Sequence, residues 1–280
     1  MHIAARLPLP VLHALGAALG WVIYLSSPRY RAQLNDNIAI AGYTGARLRA
    51  RAIAEAGKLI TETPALWLRP HAAVGALVRE VSGRVHLEQA RAAGRSIVMV
   101  SPHLGSFEMV SQYVSLHHPF TVLYRASKFA WLDQIMRAGR SRPQVRLARA
   151  DLSGVRELLA ALKRREAIGL VADQVPGQGE GEWVDFFGKP AYTMTLAAKL
   201  AAREHAVCLL AIANRLPMGR GYRIDFRPLP PSLPGETPAR TLNRAFEALI
   251  REYPEQYLWG YNRYKVPAGA VKAAPVRVAP

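Results

Sequence analysis

From residue 95 onward the chain repeats one rhythm, and that rhythm leaves few folds open. Short apolar runs rich in β-branched residues, at 96–100, 120–124, 145–148, 167–172, 206–213 and 221–227, alternate with helix-favouring stretches near 106–117, 129–140, 152–165 and 193–204. Runs this short, bounded by turn residues, read as buried strands. Strands separated by helical patterns read as βαβ units around a parallel or mixed sheet. Asp151 and Thr237 stand where helices begin, and both residue types accept hydrogen bonds from first-turn amides. Residues 29–69 read as helix, with Thr44 as an N-cap, an Ala-rich stretch at 46–56 and Pro64 and Pro70 punctuating its end. The expected fold class is therefore α/β: a mixed sheet flanked by helices.

The chemistry is expected where the first of these strands ends. Ser96-Ile97-Val98-Met99-Val100 runs directly into Ser101-Pro102-His103-Leu104-Gly105-Ser106-Phe107-Glu108, which puts an imidazole and a carboxylate at the carboxyl end of a sheet strand, where open α/β folds bind ligands. Residues five apart on one helix point about 140° away from each other. His103 and Glu108 can meet only if His103 lies in the loop and Glu108 on the first turn of the next helix, with Gly105 making the bend. Ser106 is the nearest hydroxyl, but the Gly-x-Ser-x-Gly elbow of a hydrolase is absent, and Ser106 reads as a helix N-cap. A pair without its own nucleophile must activate an external water or hydroxyl. The amides around Gly105 and Ser106 are expected to face a developing oxyanion. A base, an orienting acid and an oxyanion pocket suit acyl transfer to a hydroxyl.

Charge restricts the partners. The chain carries 37 Lys and Arg against 20 Asp and Glu, a net +17, which favours polyanions: nucleic acid, an anionic membrane surface, phosphorylated substrates or acidic carrier proteins. The basic residues are spread along the chain and form no recognised nucleic-acid module, so no nucleic-acid partner is expected. The eight histidines show no ligand spacing and the single cysteine, Cys208, lies in an apolar run; no metal, disulfide or cofactor is expected, and Cys208 reads as packing. Residues 10–27 contain no charge, with Arg6 before and Arg29 and Arg31 after. Some 18 residues is marginal for crossing hydrocarbon, which takes about 20, so this segment reads as a membrane anchor or interfacial helix, with Trp21 and Tyr24 as interfacial aromatics.

The motif at 103–108 resembles the first block of the lipid A late acyltransferases, the lauroyl and myristoyl transferases, in which a histidine and an acid stand four positions apart. Further blocks follow in order: Leu123-Tyr124-Arg125-Ala126-Ser127-Lys128, Gly169-Leu170-Val171-Ala172-Asp173-Gln174, Phe186-Phe187-Gly188-Lys189-Pro190-Ala191-Tyr192-Thr193, and Pro254-Glu255-Gln256-Tyr257-Leu258-Trp259 with Arg263-Tyr264-Lys265. The resemblance spans about residues 7–265. It implies a glycerolphosphate-acyltransferase-like mixed sheet and an enzyme on the cytoplasmic face of the inner membrane. The donor implied is acyl-acyl carrier protein, and the acceptor an anionic glycolipid, a phosphorylated glucosamine disaccharide whose 3-hydroxyacyl chain is esterified. By that resemblance His103 is the general base, Glu108 orients it, and Arg125, Lys128 and Asp173 contact substrate. Lysophospholipid acyltransferases share the His-x4-acid arrangement, so a lysophospholipid or another glycolipid, with acyl-CoA as donor, is the alternative. The expected organisation is an apolar anchor at 1–27, an acyltransferase domain at 28–266 and a disordered tail at 267–280.

Overall fold

The computed structural model describes residues 5–270; most of the tail, residues 271–280, lies outside them. The chain opens with helices α1 (Leu9–Ser26), α2 (Pro28–Ile40), α3 (Ala46–Leu68) and α4 (His71–Gly75). Strands and helices then alternate as β1 (Val78–Ser82), α5 (Arg84–Ala92), β2 (Ser96–Ser101), α6 (Phe107–Val114), β3 (Phe120–Tyr124), α7 (Ala130–Arg140), β4 (Val145–Arg149), α8 (Leu152–Lys163) and β5 (Ala167–Val171). A hairpin, β6 (Gly181–Phe186) and β7 (Lys189–Met194), precedes α9 (Leu196–Ala201), β8 (Ala206–Arg215), β9 (Tyr222–Pro228) and α10 (Pro238–Glu252). The expected mixed sheet is present. It has seven strands in the order β1-β9-β8-β2-β5-β3-β4, parallel except where β8 meets β9.

The alternation of β2 explains its place at the centre. All six of its residues are buried. Val98 and Val100 pack on one face with Leu158, Leu170 and Phe246, while Ile97 and Met99 pack on the other with Met109, Val110 and Leu209. Successive strand side chains point to opposite faces, so a strand apolar at every position needs helices on both sides of the sheet. Asp151 caps α8 by accepting from the amides of Ser153 (2.9 Å) and Gly154 (3.2 Å), and Thr237 caps α10 through the Arg240 amide.

Three local expectations are corrected. Residues 29–69 form two helices, because Gly42 at φ +86° takes the left-handed position that ends α2; Gly45 and not Thr44 then caps α3, which continues past Pro64 to Leu68. The segment 193–204 begins as strand: β6 and β7 pair around Phe187 and Gly188, both at positive φ (51° and 72°), the backbone of a two-residue hairpin turn. Helix α1 lies along α3 through glycine. A Cβ on Gly20 would stand 2.1 Å from the Ile53 carbonyl oxygen, and one on Gly57 1.9 Å from that of Gly16, so the two backbones approach as closely as helices can.

Candidate active site

Sheet register, not sequence distance, assembles the site. Ser101 at the end of β2 pairs with Val171 at the end of β5, so the residues two beyond each, His103 and Asp173, leave the sheet side by side. The next strand, β3, pairs with β5 and delivers Arg125 from its own carboxyl end. Gly105 turns the chain into α6 at φ +62°, and a Cβ there would lie 2.2 Å from the Ala213 carbonyl oxygen; no other residue fits this bend. The loop is clamped further by the Leu258 amide donating to the His103 carbonyl at 3.0 Å.

His103 is held at two points by one carboxylate. Its Nδ1 lies 2.5 Å from Asp173 Oδ1 and its backbone N–H donates to Asp173 Oδ2 at 2.9 Å. That partner fixes the proton on Nδ1 and leaves the lone pair of Nε2 available; the Gln174 amide nitrogen stands 3.2 Å from it. The edge of Phe107 packs on the imidazole at 4.8 Å between centroids. Asp173 is almost fully buried, which by itself raises a carboxyl pKa. The His103 imidazole and N–H, with the charge of Arg263 behind them, more than offset this and hold Asp173 below the ordinary carboxylate range. Tyr257, buried beside it, is pushed well above its ordinary value by burial and by the Asp173 charge. Arg263 is fixed on the Tyr192 carbonyl (2.9 Å) and Thr193 Oγ1 (2.6 Å). The carboxyl-terminal block thus builds the wall behind Asp173.

Glu108 does not orient His103. It is on the first turn of α6, as expected, but its carboxylate faces Arg140 of α7, whose Nε donates to both oxygens at 3.1 Å, and Trp67 of α3, whose Nε1 donates at 3.2 Å. The Arg140 guanidinium also stacks over the Trp67 ring at 5.3 Å. Burial opposes the charge on Arg140, but Glu108 outweighs it and the pKa is raised. The expected oxyanion amides are corrected too: the Gly105 N–H donates to the Gln256 carbonyl (3.0 Å) and that of Ser106 to the Ala213 carbonyl (2.7 Å). Ser106 occupies the N-cap position without a side-chain capping bond. The first-turn amides without a hydrogen bond among the described residues are those of Phe107 and Glu108.

His103, Glu108, Arg140, Gln174 and Arg125 all line one cavity of about 230 Å³, whose remaining walls are mostly apolar, with Phe107, Val122, Leu123 and Met136 among them beside Ser111 and Tyr124. A narrow apolar slot of about 40 Å³ continues beneath it between the sheet and α6, sharing Phe107 and Val122 and reaching Met99, Phe120 and Gly169. Arg125 also borders a neighbouring cavity of about 340 Å³ that includes Lys199. Lys128 is exposed on the loop after β3 and lines none of these. The sequence contained Asp173 but not its pairing with His103, and Trp67 and Arg140 carried no local signal, since they arrive from distant helices.

Fold and cavity together define an α/β enzyme with its site at the carboxyl ends of parallel strands. The family model for bacterial lipid A biosynthesis acyltransferases matches residues 1–266, and the chain belongs to that family. It is 26% identical over 275 residues to the lipid A biosynthesis lauroyltransferase of Escherichia coli (strain K12), covering 95% of this chain and 89% of that protein. It is 27% identical over 270 residues to the lipid A biosynthesis palmitoleoyltransferase of the same strain, at 93% and 87% coverage. A lipid A biosynthesis acyltransferase of Haemophilus influenzae matches at 26% over 278 residues, at 92% and 86% coverage. The protein is an acyltransferase.

Proposed function

We propose that this acyltransferase moves a fatty acyl group from acyl-acyl carrier protein to a hydroxyl of a lipid A precursor, with His103 as general base and Asp173 as the carboxylate that positions it. The observation that carries this reading is the His103–Asp173 pair at the mouth of an apolar-walled cavity bordered by two arginines. Nε2 takes the proton of the acceptor hydroxyl as its oxygen attacks the thioester carbonyl carbon. The tetrahedral oxyanion then collapses, the carbon–sulfur bond breaks, and the departing thiolate recovers the proton from Nε2, leaving ester and free carrier thiol. Asp173 stays ionised and stabilises the imidazolium. Glu108 serves this scheme indirectly, by keeping Arg140 charged and fixed at the cavity wall, where it and Arg125 attract anionic groups of donor and acceptor.

The membrane part of the proposal rests on α1, which is long and apolar enough to cross a bilayer by length and composition. Its contacts support lying on the surface instead. His13 pairs with Glu62 of α3 at 2.9 Å and Thr61 donates to the Leu12 carbonyl at 2.7 Å, so α1 is tied to a helix that carries Arg47, Arg49, Arg51 and Lys58. A partner so charged does not enter hydrocarbon. Val11, Leu15, Val22 and Leu25 face outward and suit the interface of the inner membrane at its cytoplasmic face.

The test is purified protein with acyl-acyl carrier protein and a lipid A precursor, followed by mass spectrometry for the addition of one acyl chain. Asp173→Asn should lower turnover nearly as far as His103→Ala, whereas product formed only from acyl-CoA or only on a lysophospholipid would reject the substrate assignment. If Arg125 holds an acceptor phosphate, Arg125→Ala should raise KM more than Arg125→Lys, and removing the phosphate should erase that difference.

A further inference from the structure

We propose that the rim of the site at the start of α7 is a second lipid-docking surface, in which Phe129 and Trp131 enter the interface of an anionic bilayer. Phe129 and Trp131 are 63% and 64% exposed, and their rings lie 6.5 Å apart. Leu152, 78% exposed, borders the neighbouring cavity together with Arg125. Soluble surfaces rarely gather large apolar side chains without a partner for them. The aromatic pair stands on a built turn: Ser127 Oγ accepts from the Phe129 amide at 3.2 Å, and Asp133 accepts from the Ser127 amide at 3.0 Å.

The chemistry of the surroundings selects the partner. Arg125, Lys128 and Arg137 flank the aromatic pair in sequence, and none has an ion-pair partner among the described residues. Elsewhere on the surface many arginines are neutralised, as in Arg84–Glu88, Arg146–Glu166 and Arg227–Glu252. Asp133, the acid of this turn, keeps its charge; it accepts from the Ser127 amide and forms no ion pair with Arg125, Lys128 or Arg137 among the described residues. Aromatics at headgroup depth with unneutralised cations around them suit an anionic lipid surface. An acidic protein would engage the cations but leave the aromatic pair in water. Met136, on the same helix as Trp131, lines the His103 cavity.

The contact can be tested without turnover, so its failure is separable from that of the proposed reaction. In full-length protein carrying Cys208→Ala, an environment-sensitive dye is attached at Trp131→Cys and, as a control, at Glu88→Cys on α5, which packs on β9 toward one edge of the sheet, while α7 packs on β4 at the other. On adding phosphatidylglycerol vesicles the dye at 131 should shift to the blue and be quenched by a lipid-borne nitroxide, while the dye at 88 stays in water. Phosphatidylcholine vesicles should give a smaller shift. Phe129→Ser combined with Trp131→Ser should lower vesicle partitioning on the order of tenfold with an unchanged melting temperature, because neither side chain is buried. An unshifted dye at 131, or a shift produced by soluble acidic carrier protein and not by vesicles, would overturn the proposal.

Discussion

Glu62 and Asp173 are both buried carboxylates that hold a histidine, and the two clusters do opposite things. Glu62 is fully buried and accepts from His13 Nε2 (2.9 Å), Arg215 Nε (2.9 Å) and Nη2 (2.7 Å), and the Tyr222 hydroxyl (3.0 Å). Burial alone would raise its pKa; Arg215 and His13 more than offset this and bring it to about 2. No cavity described above touches it. Arg215 also donates to the Gly105 carbonyl at 3.1 Å, so this sealed cluster braces the His103 loop from behind and ties α1, α3, β8 and β9 together. Asp173 instead fixes one nitrogen of its histidine and leaves the other at a cavity. A buried histidine–acid pair is not by itself a sign of function. What marks a site is a ring nitrogen that faces a cavity a ligand can enter.

The sharpest way to break this contrast is at the two histidine partners. His103→Ala should cost on the order of 10²–10⁴-fold in transfer rate in a protein that still folds, with a lower melting temperature because buried Asp173 loses its imidazole partner. Near-normal turnover by the folded variant would remove His103 from the mechanism. At the sealed cluster the effect should fall on stability. Glu62→Gln leaves Arg215 buried without its main countercharge, and chemical denaturation should show a loss of about 3–5 kcal/mol, with residual folded protein still active. If Glu62→Gln instead abolished activity at full stability, the division between bracing and catalytic clusters would be wrong.

A smaller effect separates the clusters by pH. A carboxyl depressed in the folded state stabilises it fully above its unfolded value and loses that contribution as pH falls through the folded one. For Glu62 the window runs from its ordinary 4.5 down to about 2, and Asp173 is depressed in the same direction. Urea midpoints should therefore drop steadily from pH 5 toward pH 2 in the wild type, and the drop should be shallower in Glu62→Gln. An identical slope would mean that Glu62 does not carry the acid sensitivity. The smallest effect is expected at Cys208 in β8, whose thiol burial pushes up to about 12. Cys208→Ala should leave turnover unchanged and move stability by about 1 kcal/mol or less; an acyl group trapped on that sulfur would contradict direct transfer.

Much of the fold is legible locally. The strands at 96–100 and 120–124 are close to the observed β2 and β3, because a buried strand must be apolar on both faces; the run at 145–148 is close to β4, an edge strand that buries only Ala148 and is marked by Val145 and Leu147. Caps at Asp151 and Thr237 are equally local. Strand β1 and the hairpin are harder to see. Val78–Ser82 has no buried residue and so no apolar signature, and the hairpin turns on Phe187-Gly188 where Asn-Gly is the usual signal.

The sequence by itself determined the sheet-and-helix rhythm, the position of His103 at a strand end and the bend at Gly105, since each depends on side-chain periodicity or on one residue's backbone freedom. Only the tertiary structure decided which acid serves His103. Glu108 is near in the chain, but a helix turn aims it at Arg140 and Trp67; Asp173 is distant in the chain, but the register of β2 on β5 sets it beside the imidazole. Pairing across a sheet is fixed by how whole strands dock, and no local spacing encodes it.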